Sequence, residues 1–321
     1  MRFSITIPAF KATYLKECID SVLSQTYEDF ELIIVNDASP EDLTSIVKSF
    51  NDPRIHYYVN EINCGAVNVV DNWNICLAHA QGDYVICMGD DDKLLPNCLE
   101  EYNKLIERYP GLGVYHAWTV LIDKNSEVIG MQEPRPEREG IYSMMWGRWY
   151  GKRVQYIGDF LFDRKNLVNN GGFYKLPLAW GSDDITSYIA AKDTGIANMQ
   201  VPGFQYRINA QTISSTGDAE KKLTATNLEK TFYDEFLSRK PIGSTQTEKV
   251  FWVKVKEYSE LFFIKKCIYT IADDLANNGI MNVYKYVYKR KKYNLSWAVI
   301  AYSIVESIKQ KVTGNKHHSI A

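Results

Sequence analysis

Four short aliphatic runs set the outline of this chain: Phe3–Ile7, Phe30–Val35, Ile55–Val59 and Tyr84–Met88. Each ends in a polar or proline break, and the residues between them carry apolar positions at helical spacing. Connections of that length are too long for hairpins, so successive runs pair in parallel through helical crossovers. Leu15, Ile19, Val22 and Leu23 give an amphipathic helix over residues 14–25. Leu43, Ile46 and Val47 begin a second helix, and residues 67–80 and 99–109 supply two more. The pattern predicts an α/β fold, a Rossmann-like, mostly parallel sheet sandwiched by helices.

After Gly111 the pattern changes. Val114–Ile122 and Glu127–Met131 flank Asp123-Lys124-Asn125-Ser126, a hairpin signal. Residues 133–158 are rich in Arg, Trp, Tyr and Gly and read as a loop or lid. Phe160–Phe162 is strand-like, Asn169–Phe173 a turn, and residues 185–194 a helix. Beyond residue 216 the chain is lysine-rich, with helical periodicity over 219–238, 247–278 and 295–311. The boundary is expected at the polar stretch 214–218, dividing a domain of residues 1–215 from a helical C-terminal extension of residues 216–321.

At 321 residues and 45% hydrophobic content, the chain can bury one large core and a smaller appendage. A formal net charge of -2 gives no global field for nucleic acid, so none is expected as a partner. The six cysteines show no CxxC pair and no zinc-ligand spacing with histidine, which suits free thiols in a reducing compartment. The start, Met1–Pro8, is too short and too β-branched for a signal peptide, and no apolar run reaches the ~18 residues of a membrane span. A cytoplasmic protein is expected.

Gly89-Asp90-Asp91-Asp92 closes the fourth run. Adjacent carboxylates repel one another unless a cation or a substrate compensates them. Ligands of open α/β sheets bind at the carboxyl ends of strands, and hard oxygens suit Mg²⁺ or Mn²⁺ shared with phosphates. The plainer reading is a solvated acidic turn before the helix near Pro96. Asp37 ends the second run, where it can take hydrogen bonds from a base or ribose, or simply cap the helix near Glu41. Pro8-Ala9-Phe10 follows the first run, as a nucleoside floor or as cover for the core.

Ile5–Phe10, Ser21–Tyr27, Phe30–Ser39, Asn63-Cys64-Gly65, Ala80–Val85 and Asp90-Asp91-Asp92 with Leu94-Leu95-Pro96 together resemble the inverting family-two glycosyltransferases. The similarity is specific over residues 3–105 and looser to about residue 214. It implies the GT-A nucleotide-sugar fold, a UDP-sugar donor, Mn²⁺ or Mg²⁺ as cofactor, and a single displacement at the anomeric carbon. Asp37 would bind uracil, with Pro8, Ala9 and Phe10 lining the pocket and Gly65 also in the donor site; Asn68, with Arg207 or the metal, would meet the diphosphate charge. Asp90 would face the ribose or sugar and share the metal motif with Asp91, the metal ligand on the diphosphate. The base belongs in Trp180-Gly181-Ser182-Asp183-Asp184. Counting back from Gly195 favours Asp184, whereas aligning Ser182-Asp183 with the family's acidic pair favours Asp183; Asp184 is the first choice. An N-capping pair is the structural alternative. Arg207, in Tyr206-Arg207-Ile208-Asn209, offers a bidentate fork to phosphate or pairs with a local acid.

Some positions depart from the family's pattern. Gly89 stands where a first acidic residue is frequent, Trp73-Asn74 where Arg-Asn is usual, and Asn209 where a histidine ligand is frequent. The acceptor implied is a saccharide or a lipid-linked saccharide, in the setting of bacterial surface polysaccharide. The basic, aromatic segment 284–293 and the apolar helix after it suit peripheral association with the inner face of the cell membrane, through residues 284–311. Competing readings are a non-catalytic nucleotide-sugar binding module and a sugar nucleotidyltransferase. The second, like a nicotinamide oxidoreductase, wants a Gly-rich turn after the first strand that Pro8–Thr13 lacks.

Overall fold

Burial on both faces makes parallel strands out of three of the aliphatic runs, and the partly exposed Ile55–Val59 run joins them at the edge. In the computed structural model, which describes residues 2–209, 218–241 and 245–313, they are β1 (Phe3–Ala9), β2 (Phe30–Asn36), β3 (Ile55–Val59) and β4 (Tyr84–Cys87). They lie in the order β3-β2-β1-β4, all parallel. Helices α1 (Leu15–Leu23), α2 (Leu43–Lys48) and α3 (Val69–His79) make the crossovers, and α4 (Cys98–Arg108) follows. The Asp42 side chain caps α2 by accepting from the Ser45 amide. Leu15, Ile19 and Val22 of α1 and Leu99, Tyr102 and Ile106 of α4 enter one core with Ile5, Ile7, Leu32 and Ile34. Each such side chain contributes about 1.5–3 kcal/mol by leaving water.

The sheet continues β4-β9-β6-β10-β5. Its further strands are β5 (Lys93–Leu94), β6 (Val114–Ile122), β7 (Val128–Met131), β8 (Arg138–Glu139), β9 (Phe160–Asp163) and β10 (Ile196–Arg207). β9 runs antiparallel to both β4 and β6, so the second half of the sheet is mixed. β6 and β7 form the expected hairpin, its turn held by Asp123 Oδ1 accepting from the Asn125 and Glu127 amides. Two readings of the sequence need correction. Residues 133–158 are not one loop: they contain β8 and the helix α5 (Ile141–Trp149). Residues 196–207 form a twelve-residue strand that periodicity did not announce.

Helices α6 (Arg164–Asn169) and α7 (Ser182–Ala191) come before β10, and α8 (Ala219–Ser238), α9 (Gln246–Asn278), α10 (Val283–Tyr288) and α11 (Trp297–Thr313) after it. The chain divides into two compact units. The first comprises Met1–Ile141, Gln155–Lys175 and Ser182–Gln211; the second Tyr142–Val154, Leu176–Gly181 and Thr212–Ala321. The helical part therefore also takes two excursions from the middle of the chain. Most of the boundary expected at 214–218 lies outside the described residues.

Within the second unit, Trp149 stacks on Phe262 at 4.5 Å and meets Tyr233 edge-on at 4.9 Å. Glu248 accepts from the Tyr142 and Ser143 amides, capping the start of α5. Lys266 and Glu229 form a buried pair at 2.7 Å. All six cysteines are free thiols; Cys18, Cys76, Cys87 and Cys98 are buried. Among the described residues no helix is long and apolar enough to cross a membrane.

Candidate active site

The carboxyl ends of β2, β1 and β4 bring the sequence candidates to one edge of the sheet. Ala9 pairs in register with Asn36, and the Asp37 amide donates to the Ala9 carbonyl at 2.9 Å. Asp37 is buried, and its Oδ1 accepts from Asn60 Nδ2 and the Cys64 amide, both at 2.9 Å. The Cys64 thiol also bonds this carboxylate, so three groups of the 60–64 loop hold Asp37 in place. Phe10 is exposed beside it, an aromatic ring at the end of an otherwise buried strand. Gly65 turns with φ +77°, and Asn68 Nδ2 donates to the Cys64 carbonyl at 3.2 Å, closing the loop that positions Asp37.

Each of the three consecutive carboxylates has its own surroundings. Asp90 turns toward the loop after β1, where its Oδ2 accepts from the Phe10 and Lys11 amides at 2.7 Å each. Burial pushes its carboxyl up to about 6, against the pull of those two amides. Asp91 Oδ2 accepts from Asn209 Nδ2 at 2.5 Å, so the residue standing where the family often has histidine contacts the acidic motif through its amide. Asp92 is buried and accepts from the Arg207 amide at 3.0 Å; desolvation, with the Asp91 charge next, holds its carboxyl well above the ordinary range. A Cβ at Gly89 would lie 3.0 Å from both Asp91 Oδ1 and Asp92 Oδ2. Gly89 thus leaves room over which two hard oxygens converge. Among the described residues no three side chains form a complete metal cage. A cation here would draw its remaining ligands from a substrate's phosphates or water, as Mg²⁺ and Mn²⁺ do.

Of the two readings of Arg207, the structure displays the pairing with a local acid. It is fully buried at the end of β10, with Nε donating to the Asp91 carbonyl at 2.8 Å and Nη1 to the Asp123 carbonyl at 2.9 Å. Nη2 reaches Glu17 Oε2 at 3.3 Å, and the guanidinium lies 4.0 Å from the Tyr14 ring centroid. The fork read as a phosphate clamp is engaged by the protein, where it fixes the acidic loop. Asn74 is likewise structural. Its Oδ1 accepts from the Phe173 amide at 2.8 Å and its Nδ2 donates to the Phe173 carbonyl at 3.1 Å.

Asp183 and Asp184 begin α7 but face different surroundings. Asp184 is fully buried, with Oδ1 accepting from Gln155 Nε2 at 2.8 Å. Its charge adds to the burial that pushes Asp159 up to about 7, placing it toward the interior. Asp183 is half-buried and accepts from the Asp184 amide at 2.9 Å. The hydroxyl of Tyr206 is raised by burial and then by the fields of Asp92, Tyr156, Asp91 and Asp183. Asp183 adds its field at Tyr206 alongside those of Asp91 and Asp92, while Asp184 bonds Gln155 in the interior, and both stay candidates for the base. The interior group of His116, Thr119, Arg135, Gln155 and Asp159 had no signal in the sequence. Its members are scattered polar residues that only the fold assembles, with Thr119 Oγ1 3.0 Å and His116 Nε2 3.4 Å from Asp159 Oδ2.

Comparison with known proteins gives the family and the fold. The profile of glycosyl transferase family 2 matches residues 4–171. An uncharacterized glycosyltransferase of Rickettsia typhi is 30% identical over 133 residues, 41% of this chain and 40% of that one. WcaA of Escherichia coli K12, named as a glycosyl transferase of colanic acid biosynthesis, is 43% identical over 102 residues, 31% of this chain and 36% of that one. The match thus spans about two fifths of the length of these curated relatives. Among solved structures, Staphylococcus aureus TarS 1–349 in complex with UDP-GlcNAc superposes with a TM-score of 0.63 at 14% identity, covering 99% of this chain and 93% of that one. A mannosyltransferase from Pyrobaculum calidifontis in complex with GDP-Man and Mn²⁺ gives 0.53 at 17% identity, covering 98% and 88%. These likenesses establish the GT-A fold.

Proposed function

The chain belongs to glycosyl transferase family 2, and from that premise we propose that it is an inverting transferase moving a sugar from a UDP-sugar to a saccharide or lipid-linked acceptor. Asp37 and Phe10, with Pro8 and Ala9, receive the nucleoside; Asp90 orders the loop after β1 around the ribose or sugar. Asp91, with Asp92 beside it, would hold a divalent cation, which when bound would neutralise charge on the leaving diphosphate. Asp183 takes the proton of the acceptor hydroxyl as that oxygen attacks the anomeric carbon. The bond from that carbon to the diphosphate oxygen breaks on the opposite face, so UDP leaves and the configuration inverts.

The observation that carries the reading is the half-buried Asp183, whose charge reaches Tyr206 together with those of Asp91 and Asp92, in the same unit as Asp37 and Phe10. Its exposure, against the full burial of Asp184, supports Asp183 as the group that meets the acceptor. The colanic acid relative supports surface polysaccharide as the setting, and residues 284–311 suit a peripheral place at the membrane where lipid-linked acceptors lie.

The test is UDP release from UDP-sugars with Mn²⁺, alongside nucleotide binding by calorimetry. Asp91→Ala should abolish metal-dependent binding. Asp183→Asn should keep binding and lower turnover about 10²–10⁴-fold, the range of general-base catalysis. Full turnover in Asp183→Asn would return the base to Asp184. Nucleotide binding without any turnover in the wild-type protein would favour a binding module.

A further inference from the structure

α11 carries apolar side chains on its outward face as well as on its inward one. Its inward face carries Val299 and Ile300 but also Ser303, Ser307 and Gln310, all buried. Its outward face carries Trp297 (61% exposed), Tyr302 (64%), Val305 (63%), Ile308 (50%) and Val312 (80%), with Ala301 also exposed. Positions 297, 301, 305, 308 and 312 fall at intervals of four, four, three and four, a single stripe along the helix. Seventeen residues make the stripe about 25 Å long. Scattered exposed apolar side chains are ordinary, but a continuous row of them marks a docking face.

The charge around the stripe identifies the partner. From Tyr284 to Thr313 there are seven cations, Lys285, Lys289, Arg290, Lys291, Lys292, Lys309 and Lys311, against one acid, Glu306. Glu306 lies 3.7 Å from Lys309, and Lys289 is paired with Glu220 at 2.6 Å. The basic segment is joined to the stripe, because the Arg290 guanidinium sits 4.8 Å from the Trp297 ring centroid. α10 packs on α11 and adds exposed Tyr284 and Tyr288. Exposed aromatics, an apolar face and a cationic border are what an in-plane helix presents to lipid headgroups. A second copy of the chain would instead set like charges against like.

We propose that the 297-301-305-308-312 face of α11 lies in the plane of an anionic bilayer, with Arg290, Lys291 and Lys292 on the headgroups. This refines the acceptor side of the proposed function and rests on that reading only for the lipid-linked acceptor; binding itself involves no turnover.

The experiment is cosedimentation of the whole protein with vesicles of phosphatidylcholine alone or mixed with phosphatidylglycerol. Binding should require the anionic lipid, and raising salt should weaken it. Val305→Asp with Ile308→Asp replaces exposed groups and should lower partitioning about tenfold or more while nucleotide binding and the circular dichroism spectrum stay unchanged. Lys291→Glu with Lys292→Glu should lower binding to anionic vesicles as well. Equal recovery on both vesicle types, or anionic binding indifferent to the Val305/Ile308 pair, would overturn the proposal. So would a self-association by sedimentation velocity that this pair abolishes in a protein without vesicle binding. Vesicle binding by a protein that ignores UDP-sugars would count against the donor assignment and leave this surface standing.

Discussion

Successive residues of a helix point about 100° apart, so two adjacent carboxylates cannot share one task. At the start of α7 Asp184 is buried against Gln155 and Asp183 is half-buried. The sequence reading put Asp184 first within this pair, and the proposal reverses that order on burial, which a single sequence does not carry. The interior group provides a direct test of the environment behind the base. Burial pushes Asp159 up to about 7, partly offset by Arg135 and Thr119, with His116 and Asp184 also facing it. An unfolded aspartate titrates near ~3.9, so the folded state holds the proton more tightly. Stability is then greatest below about pH 4, falls as pH rises toward about 7, and levels off beyond. Asp159→Asn should flatten that part of the profile, removing a slope worth on the order of a few kcal/mol. Urea unfolding from about pH 4 to pH 8 measures it; an unchanged slope would place the titration elsewhere.

Elements were legible where their signal is local. β1 to β4 and α8 begin or end within a residue or two of the positions that periodicity gives. β10 was not, for physical reasons. Pro202 and Gly203 interrupt its pattern, its register against β6 shifts around Pro202, and most of its pairing partners lie more than seventy residues back. α5 was missed because Trp149 finds its apolar partners, Tyr233 and Phe262, only in distant helices. The missed β10 matters to the site, since it carries Arg207 into the acidic loop, the hairpin turn and α1 together. Removing that guanidinium strips charged donors from two part-buried carbonyls, each such bond contributing about 1.5–3 kcal/mol. Arg207→Ala should therefore lower stability by about 3 kcal/mol or more, and weaken nucleotide binding because the Asp91 loop loses its tie. Arg207→Lys keeps the charge without the fork and should recover little of either. Wild-type nucleotide affinity in a folded Arg207→Ala protein would show that the loop holds itself.

At the scale of the whole molecule, the unit to which a residue belongs does not follow the order of the chain. Leu176–Gly181 falls in the helical unit, and the next residue, Ser182, returns to the sheet unit one step before Asp183. That segment is strained: Leu178 and Ala179 have φ of 62° and 53°, a region that L-residues occupy at a cost. Its own unit holds it there. Lys222 and Lys266 lie 4.4 and 5.4 Å from the Trp180 ring centroid, and the Glu229 carboxylate takes the space where Gly181 would carry a Cβ, 2.8–3.1 Å away. Glu229 and Lys266 are both buried, so deleting one charge strands the other, a loss of about 3–5 kcal/mol. Glu229→Gln should lower thermal stability by that order. It should also lower turnover well below the melting temperature, because the strained approach to Asp183 loses its support, while nucleotide affinity, which the proposal assigns to Asp37, Phe10 and Asp91, stays at the wild-type value. Adding Lys266→Met removes the stranded cation and should recover stability more than turnover, since the contact with Trp180 goes with it. Melting curves, kcat and nucleotide Kd on the single and double variants separate the two effects. Turnover that simply tracks stability through the series would reduce the helical unit's part to holding the fold together.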